Sequence, residues 1–426
     1  MANRMLFATH GATALAATDT LNYEGAPAYA FSPKHALAQL ALTGCLNATF
    51  YADAEAQLDE IIARCFEVPA EFVAKTALYA RRHGHMKDVP ALLCAYLAAF
   101  DGALLERVFE RVIDNGKMLR GFVQIVRSGR VVRKSLGSLP KRLVQRWLAQ
   151  ASDAEFIRAM VGQQPSLADV IRMVHPKPPT AEREALYGYV IGRDVDVAKL
   201  PDALQAFERF KRDPRAPLPE VPFQLLTAFE LSQAHWAAIA EQANWTTLRM
   251  NLNTFARHGV FEDRARLRRL AQRLADAKAV RRSRVFPYQL LATLRATAAL
   301  PTVIRDALAA ALEHSIANVP RIAGSLAIAV DVSGSMESPV TGYRKGASSA
   351  VRCVDVAALC AASLLAVNPD AVVLPFAEDV HAWSWRTASL HDTTEALASL
   401  LGGGTNISAP LAELVSRRPS TGLRTG

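Results

Sequence analysis

From about residue 35 to about residue 315, apolar residues recur at helical spacing in one segment after another, and nowhere do they alternate as in a half-buried strand. Segments 34–42, 55–63, 71–81 and 89–99 set the pattern, with Pro90 tolerated in a first helical turn. Further helices are predicted over 103–114, 117–127, 140–150, 153–161, 167–174, 180–191 and 200–211. The series closes with 222–230, 233–242, 245–257, 263–277, 287–298 and 302–316. Prolines such as Pro165, Pro176, Pro214 and Pro222 punctuate it. So many helices with short links and no dominant core predict an all-α helical-repeat solenoid, whose long surfaces suit an extended ligand.

Near residue 320 the pattern changes. The apolar run 325–330 reads as a strand buried on both faces of a parallel sheet. A helix over 349–367, a strand over 371–376, a helix over 393–401, a glycine-rich link at 402–406 and a helix over 408–415 follow. This alternation predicts a doubly wound α/β domain. A chain of 426 residues exceeds what one core usually supports, so the reading is two domains, 1–320 and 321–426.

The loop after the first strand, Asp331-Val332-Ser333-Gly334-Ser335-Met336, lies where α/β sheets place their ligands. A carboxylate and two hydroxyls at alternate positions can converge on one hard divalent cation, Mg2+ before Zn2+. Thr405, after three glycines, either approaches the same ion or caps the helix that begins near Ile407. The glycines do not form a phosphate loop, so nucleotide hydrolysis has no support.

Charge is unevenly placed. Residues 321–426 hold 8 Lys/Arg and 9 Asp/Glu of the chain's 49 and 40, so the net charge of +9 arises in the first domain. Between Asp114 and Asp153 there is no acid, yet Lys117, Arg120, Arg127, Arg130, Arg133, Lys134, Lys141, Arg142 and Arg146 fall there. A second arginine-rich stretch runs from Arg264 to Arg284. Such fields attract nucleic acid or another polyanion, and the bland alternative is a solvated helix face.

No HExxH, dinucleotide fingerprint or supported Ser/His/Asp or Cys/His arrangement occurs, so the chain reads as a binding protein and not an enzyme. No apolar stretch reaches the ~18 residues of a membrane span. Cys45, Cys65, Cys94, Cys353 and Cys360 form no CxxC pair and read as reduced, structural thiols of a cytoplasmic protein.

Asp331-x-Ser333-x-Ser335 with Gly404-Thr405-Asn406 resembles the metal-ion-dependent adhesion site (MIDAS) of von Willebrand factor A domains. The helical part resembles the TROVE module of the Ro ribonucleoprotein family. The resemblance is carried by Gly44-Cys-Leu-Asn-Ala-Thr-Phe-Tyr51, Ala77-Leu-Tyr-Ala-Arg81, Met86-Lys-Asp-Val-Pro90, Arg172-Met-Val-His-Pro-Lys-Pro178, Trp245-Thr-Thr-Leu-Arg-Met-Asn-Leu252 and Phe286-Pro-Tyr-Gln-Leu290. It implies a ring of HEAT-like repeats closed by the A domain, and a monomer. It also implies binding of small structured noncoding RNAs and of single-stranded 3′ ends of misfolded RNAs, in RNA quality control or processing, with an exoribonuclease partner. The acid-free stretch matches the part of the module where the family contacts RNA, and Arg172, His175 and Lys177 extend that set. His175 also reads as a structural residue beside the Pro176 break.

Two departures stand out. Animal members carry a His-Lys pair where this chain has Leu167 and Ala168. Family members continue into a further strand whose aspartate completes the metal site, whereas the polar, basic tail 417–426 supplies no such strand, so the expectation is an incomplete A domain with weak or no ion affinity. The competing reading is a protein–protein adaptor that captures a partner carboxylate through the A-domain ion.

Overall fold

A computed structural model describes residues 19–21, 27–44, 46, 54–340, 351–383, 389–400 and 402–416. Cys45, the first residues of the helix expected over 349–367, and the tail after 416 lie outside the described residues. Contacts divide the chain into two compact units, one Ala30–Leu231, the other Ser232–Gly426 with the segment up to Tyr29. The helices from Ser232 onward therefore belong with the strand-containing region.

Within Ala30–Leu231 the helices are α1 (Pro33–Thr43), α2 (Ala54–Phe66), α3 (Ala70–Arg82), α4 (Asp88–Phe100), α5 (Gly102–Val112), α6 (Gly116–Arg127), α7 (Ser138–Gln150), α8 (Asp153–Ala159), α9 (Leu167–Val174), α10 (Ala181–Val190) and α11 (Asp202–Arg212). Many begin where a short polar side chain caps the first turn. Asn115 accepts from Met118 N, and Ser152 and Ser166 form capping boxes with Glu155 and Asp169. Helix α4 is apolar all round, and every residue from 89 to 98 is buried, so it is the central rod of this unit. Around it α5 and α6 contribute Phe109 and Phe122, whose rings meet edge to face at 5.1 Å. Full burial of each such side chain contributes about 1.5–3 kcal/mol.

The other unit opens with a two-residue antiparallel pair, β1 (Thr20–Leu21) and β2 (Pro27–Ala28). It continues with α12 (Gln233–Gln242), α13 (Trp245–Met250), α14 (Leu252–Arg257), α15 (Arg264–Leu274), α16 (Ala277–Ser283), α17 (Pro287–Ala296) and α18 (Thr302–Ser315). The α/β region follows as β3 (Ala327–Asp331), α19 (Cys353–Val367), β4 (Val372–Phe376), α20 (Leu390–Ala398) and α21 (Ser408–Ser416). Strands β3 and β4 pair in parallel with Asp331 opposite Phe376. Ile328, Val330 and Val332 pack on Val354, Ala358, Ala361 and Leu365 of α19 and on Leu397 of α20.

The fold class is as read from the sequence, a helical region followed by an α/β region with a small parallel sheet. Several local expectations are corrected. Strand β3 is not buried on both faces: Ile328 and Val330 face the core while Ala327 and Ala329 are exposed, at little cost because alanine carries little apolar area. The helix expected over 222–230 is a short 3-10 turn, Phe223–Leu225. The segment 245–257 breaks at Asn251, whose side chain donates to Thr247 O instead of continuing the helix. The arginine-rich 263–277 ends sooner, because Asp276 caps a new helix, α16, by accepting from Ala279 N.

Candidate nucleic-acid interface and metal centre

The acid-free window folds into α6, a connecting loop and α7, and its cations meet different fates. The core stripe of α6 holds Met118, Leu119, Phe122, Val123 and Val126, and Arg120 falls on the same side. Only 9% of Arg120 is exposed. Its guanidinium donates to Val161 O at 2.5 Å and to Gly116 O and Pro165 O at 3.4 Å. Gly162, at φ +124°, lies against that guanidinium, where a Cβ would collide with it. Burial lowers the arginine's pKa, and its described partners are carbonyls alone. Arg120 is thus a structural residue holding the loop after α8, which corrects its assignment as a phosphate contact.

Other arginines of the window are paired across space with acids that are remote in sequence. Arg142 and Arg146 of α7 reach Glu106 of α5 at 3.2 and 3.1 Å, and Arg146 also reaches Glu110 at 3.2 Å. Arg130 reaches Glu55 at 2.6 Å and Asp59 at 3.7 Å. Arg133 donates to Ala98 O. The exposed ion pairs of Arg130, Arg142 and Arg146 are individually worth little.

A smaller set converges. Arg127, at the end of α6, Lys134, on the loop, and Lys141, in the first turns of α7, line one cleft of about 470 Å³ with Met173 of α9 and no Asp or Glu. The cleft opens at the start of α7, where Gly137 at φ +70° is the N-cap and offers no side-chain acceptor. Backbone N–H groups there add partial positive charge to that of the side chains. The side chains of Lys134 and Lys141 make no hydrogen bond or ion pair among the described residues, and Arg127 reaches Met173 Sδ. Lys117 lies elsewhere, exposed on a second cleft of about 630 Å³ that it shares with Lys87, Arg120, Arg130 and the Gln163–Gln164 turn. Lys87, Gln163 and Gln164 were not selected from sequence, and only the proximity of the Pro165 break pointed to that turn.

On α9, Arg172 donates to Ile191 O at 2.7 Å and stands 3.9 Å from Asp169. His175 closes the helix in the left-handed conformation at φ +47°, with its carbonyl and that of Val174 accepting from Gln145 Nε2. Its backbone is structural while its side chain is exposed, as is Lys177. Leu167 is buried in the first turn of α9.

At the carboxyl end of β3, three of the four expected metal ligands come together. Asp331 Oδ1 accepts from Ser333 N at 2.9 Å, and Ser333 Oγ lies 3.2 Å from Ser335 Oγ. The glycine link docks alongside, with Gly402 N donating to Val332 O and Gly334 N to Gly403 O. Thr405 is exposed, with no side-chain hydrogen bond among the described residues, and Asn406 makes the bonds to Ser408 at the start of α21. Glu378, missed in the sequence, follows β4 and accepts from Gly404 N at 3.3 Å. All these donors are hard oxygens, which fits Mg2+ in type. Among the described residues no cluster of three or more His, Cys, Asp or Glu exists, so the charge density is low.

Two family models match the chain, the TROVE domain over residues 108–321 and the Ro60 vWA domain over residues 325–414. The crystal structure of the Deinococcus radiodurans Ro (RSR) protein is similar, with a TM-score of 0.66 and 22% identity, covering 89% of this chain and 82% of that one. No curated protein matches.

Proposed function

Because this chain belongs to the TROVE-domain family of RNA-binding Ro ribonucleoproteins, as a bacterial-type member, we propose that it binds small structured noncoding RNAs and the single-stranded 3′ ends of misfolded RNAs in RNA quality control or processing. The observation that carries this reading is the acid-free cleft where Arg127, Lys134 and Lys141 converge at the start of α7. Phosphates seated there displace counterions, so affinity must fall steeply with salt. The chain acts as a monomeric binding protein with no catalytic step of its own. No described helix is long and apolar enough to cross a membrane. A cytoplasmic setting suits the free thiols of Cys65, Cys94, Cys353 and Cys360.

Filter binding of a hairpin RNA with a free 3′ tail across a salt series tests the reading. The Arg127→Gln/Lys134→Gln/Lys141→Gln variant is expected to bind at least about tenfold more weakly and to reduce the log–log salt slope by about 2–3. A flat salt response in the unsubstituted protein would sink the reading.

For the A domain, Asp331, Ser333, Ser335 and Thr405 would hold the ion, and an ion there would present an open coordination position to a partner's carboxylate. An exoribonuclease recruited to bound RNA fits that chemistry. With a single carboxylate among these four ligands, Mg2+ affinity is expected to be about 1 mM or weaker. Isothermal titration that shows tight, stoichiometric Mg2+ binding would contradict this expectation.

A further inference from the structure

The start of α17 carries an exposed aromatic pair that packing within the unit does not use. Arg284 closes α16 in the left-handed conformation and Phe286 is the extended N-cap of α17; across this turn Val285 and Pro287 are buried while Arg284, Phe286 and Tyr288 are exposed. Phe286 is 48% exposed and Tyr288 43%, and their rings lie 13° from parallel with centroids 6.3 Å apart. The pair thus offers two large π faces, held nearly parallel, to solvent.

The chain just before them is cationic. One turn upstream, α16 presents Lys278, Arg281 and Arg282 at helical i, i+3, i+4 spacing, all exposed and none with a side-chain hydrogen bond or ion pair among the described residues. On the other side, Arg249 of α13 donates to Gln289 O and Thr293 Oγ1 of α17, which fixes the aromatic turn against a rigid neighbour. Next to it, Met250 is 70% exposed. Exposed aromatic faces that follow a row of exposed cations along the chain suit unpaired nucleotides, which offer base faces and phosphates together. A duplex hides its base faces, and a protein surface would need an acidic, apolar complement.

We propose that Phe286 and Tyr288 form a stacking platform for unpaired RNA bases, with Lys278, Arg281 and Arg282 taking the adjoining phosphates. This rests on the RNA-binding reading above and adds a second site to it, on the other unit and specific for single strands.

The test uses the full chain with two fluorescein-labelled probes, a ten-nucleotide oligouridine and a blunt RNA duplex, read by anisotropy. Phe286→Ala/Tyr288→Ala is expected to weaken oligouridine binding by about tenfold or more and to leave duplex affinity unchanged. Phe286→Trp should retain affinity and show quenched emission when oligouridine is added. Lys278→Gln/Arg281→Gln/Arg282→Gln should reduce the oligouridine salt slope by about 2. Should the double alanine variant misfold by circular dichroism, Phe286→Leu/Tyr288→Leu keeps the apolar bulk without the stacking faces and should show the same selective loss. Oligouridine affinity unchanged in the folded variants, as when the patch serves a protein partner, overturns the platform alone. Equal losses for both probes do the same. If the unsubstituted protein binds the duplex but not oligouridine, the platform falls and the general reading stands. Failure to bind either probe overturns both.

Discussion

Replacing Asp355 by Ala is expected to destabilise the unit that contains Ser232–Gly426 by about 3 kcal/mol, the lower end of what breaking a buried ion pair costs. Asp355 sits in the first turn of α19 with 0% of its surface exposed. It accepts from Arg295 Nη1 of α17 at 2.7 Å, from Arg352 N at 2.7 Å and from Arg352 Nη2 at 2.8 Å. Arg295 also reaches Glu395 of α20 at 3.2 Å, so the network ties the helical part of this unit to its α/β part. Removing the carboxylate leaves two guanidinium groups facing one buried position. Both are partly exposed, which lets water soften the loss and argues for the lower figure.

The same network has a pH signature. Burial pushes the Asp355 carboxyl pKa upward, but hydrogen bonds from the side chain and backbone of Arg352, with the charges of Arg295 and Arg352, outweigh it and leave it below the ordinary value. A depressed folded-state pKa contributes stability that is fully present above the unfolded value of about 3.9 and is lost as pH falls through the folded one. The deficit of Asp355→Ala measured by calorimetry at pH 7 should therefore shrink toward pH 3. A variant whose melting temperature matches the unsubstituted protein at pH 7 would show that the network carries no net stability.

Arg120→Met should destabilise Ala30–Leu231 by about 2–4 kcal/mol while leaving the salt slope of RNA binding unchanged. Methionine keeps much of the side-chain volume, but Val161 O and Pro165 O lose a donor, and each buried polar group left unsatisfied costs about 1–3 kcal/mol. Gly116 O loses less, because it still accepts within α6. The contrast with Lys134→Gln and Lys141→Gln is the decisive comparison. Those substitutions should change the salt slope and leave the unfolding free energy within about 0.5 kcal/mol of that of the unsubstituted protein. If Arg120→Met lowers the slope at temperatures where it is folded, the arginine does touch phosphate and its structural assignment is wrong.

Much of the fold was legible in the chain because its determinants are local. Apolar spacing within one or two turns, caps such as Ser152, Ser166 and Asp263, and the apolar run before Asp331 each act within a few residues. Their elements therefore appear close to where the pattern places them. The failures at 222–230 and at Asn251 arise where a proline turn and a side chain to backbone bond compete with helix propensity. The Asp331-x-Ser333-x-Ser335 loop was legible for the same reason, since its three ligands are neighbours along the backbone.

The charges behaved differently. Sequence alone determined that the window between Asp114 and Asp153 is basic, and that the chain has a helical region followed by strand–helix alternation. Only the tertiary structure decided that Arg120 is interior, that Arg142 and Arg146 face Glu106 and Glu110, and that Arg127, Lys134 and Lys141 share one cleft without an acid. It also decided that Phe286 and Tyr288 stay in solvent with their rings nearly parallel. The physical reason is range. Backbone conformation answers to residues a few positions away, whereas what a charge or an aromatic face can bind depends on how far through space its nearest partner lies.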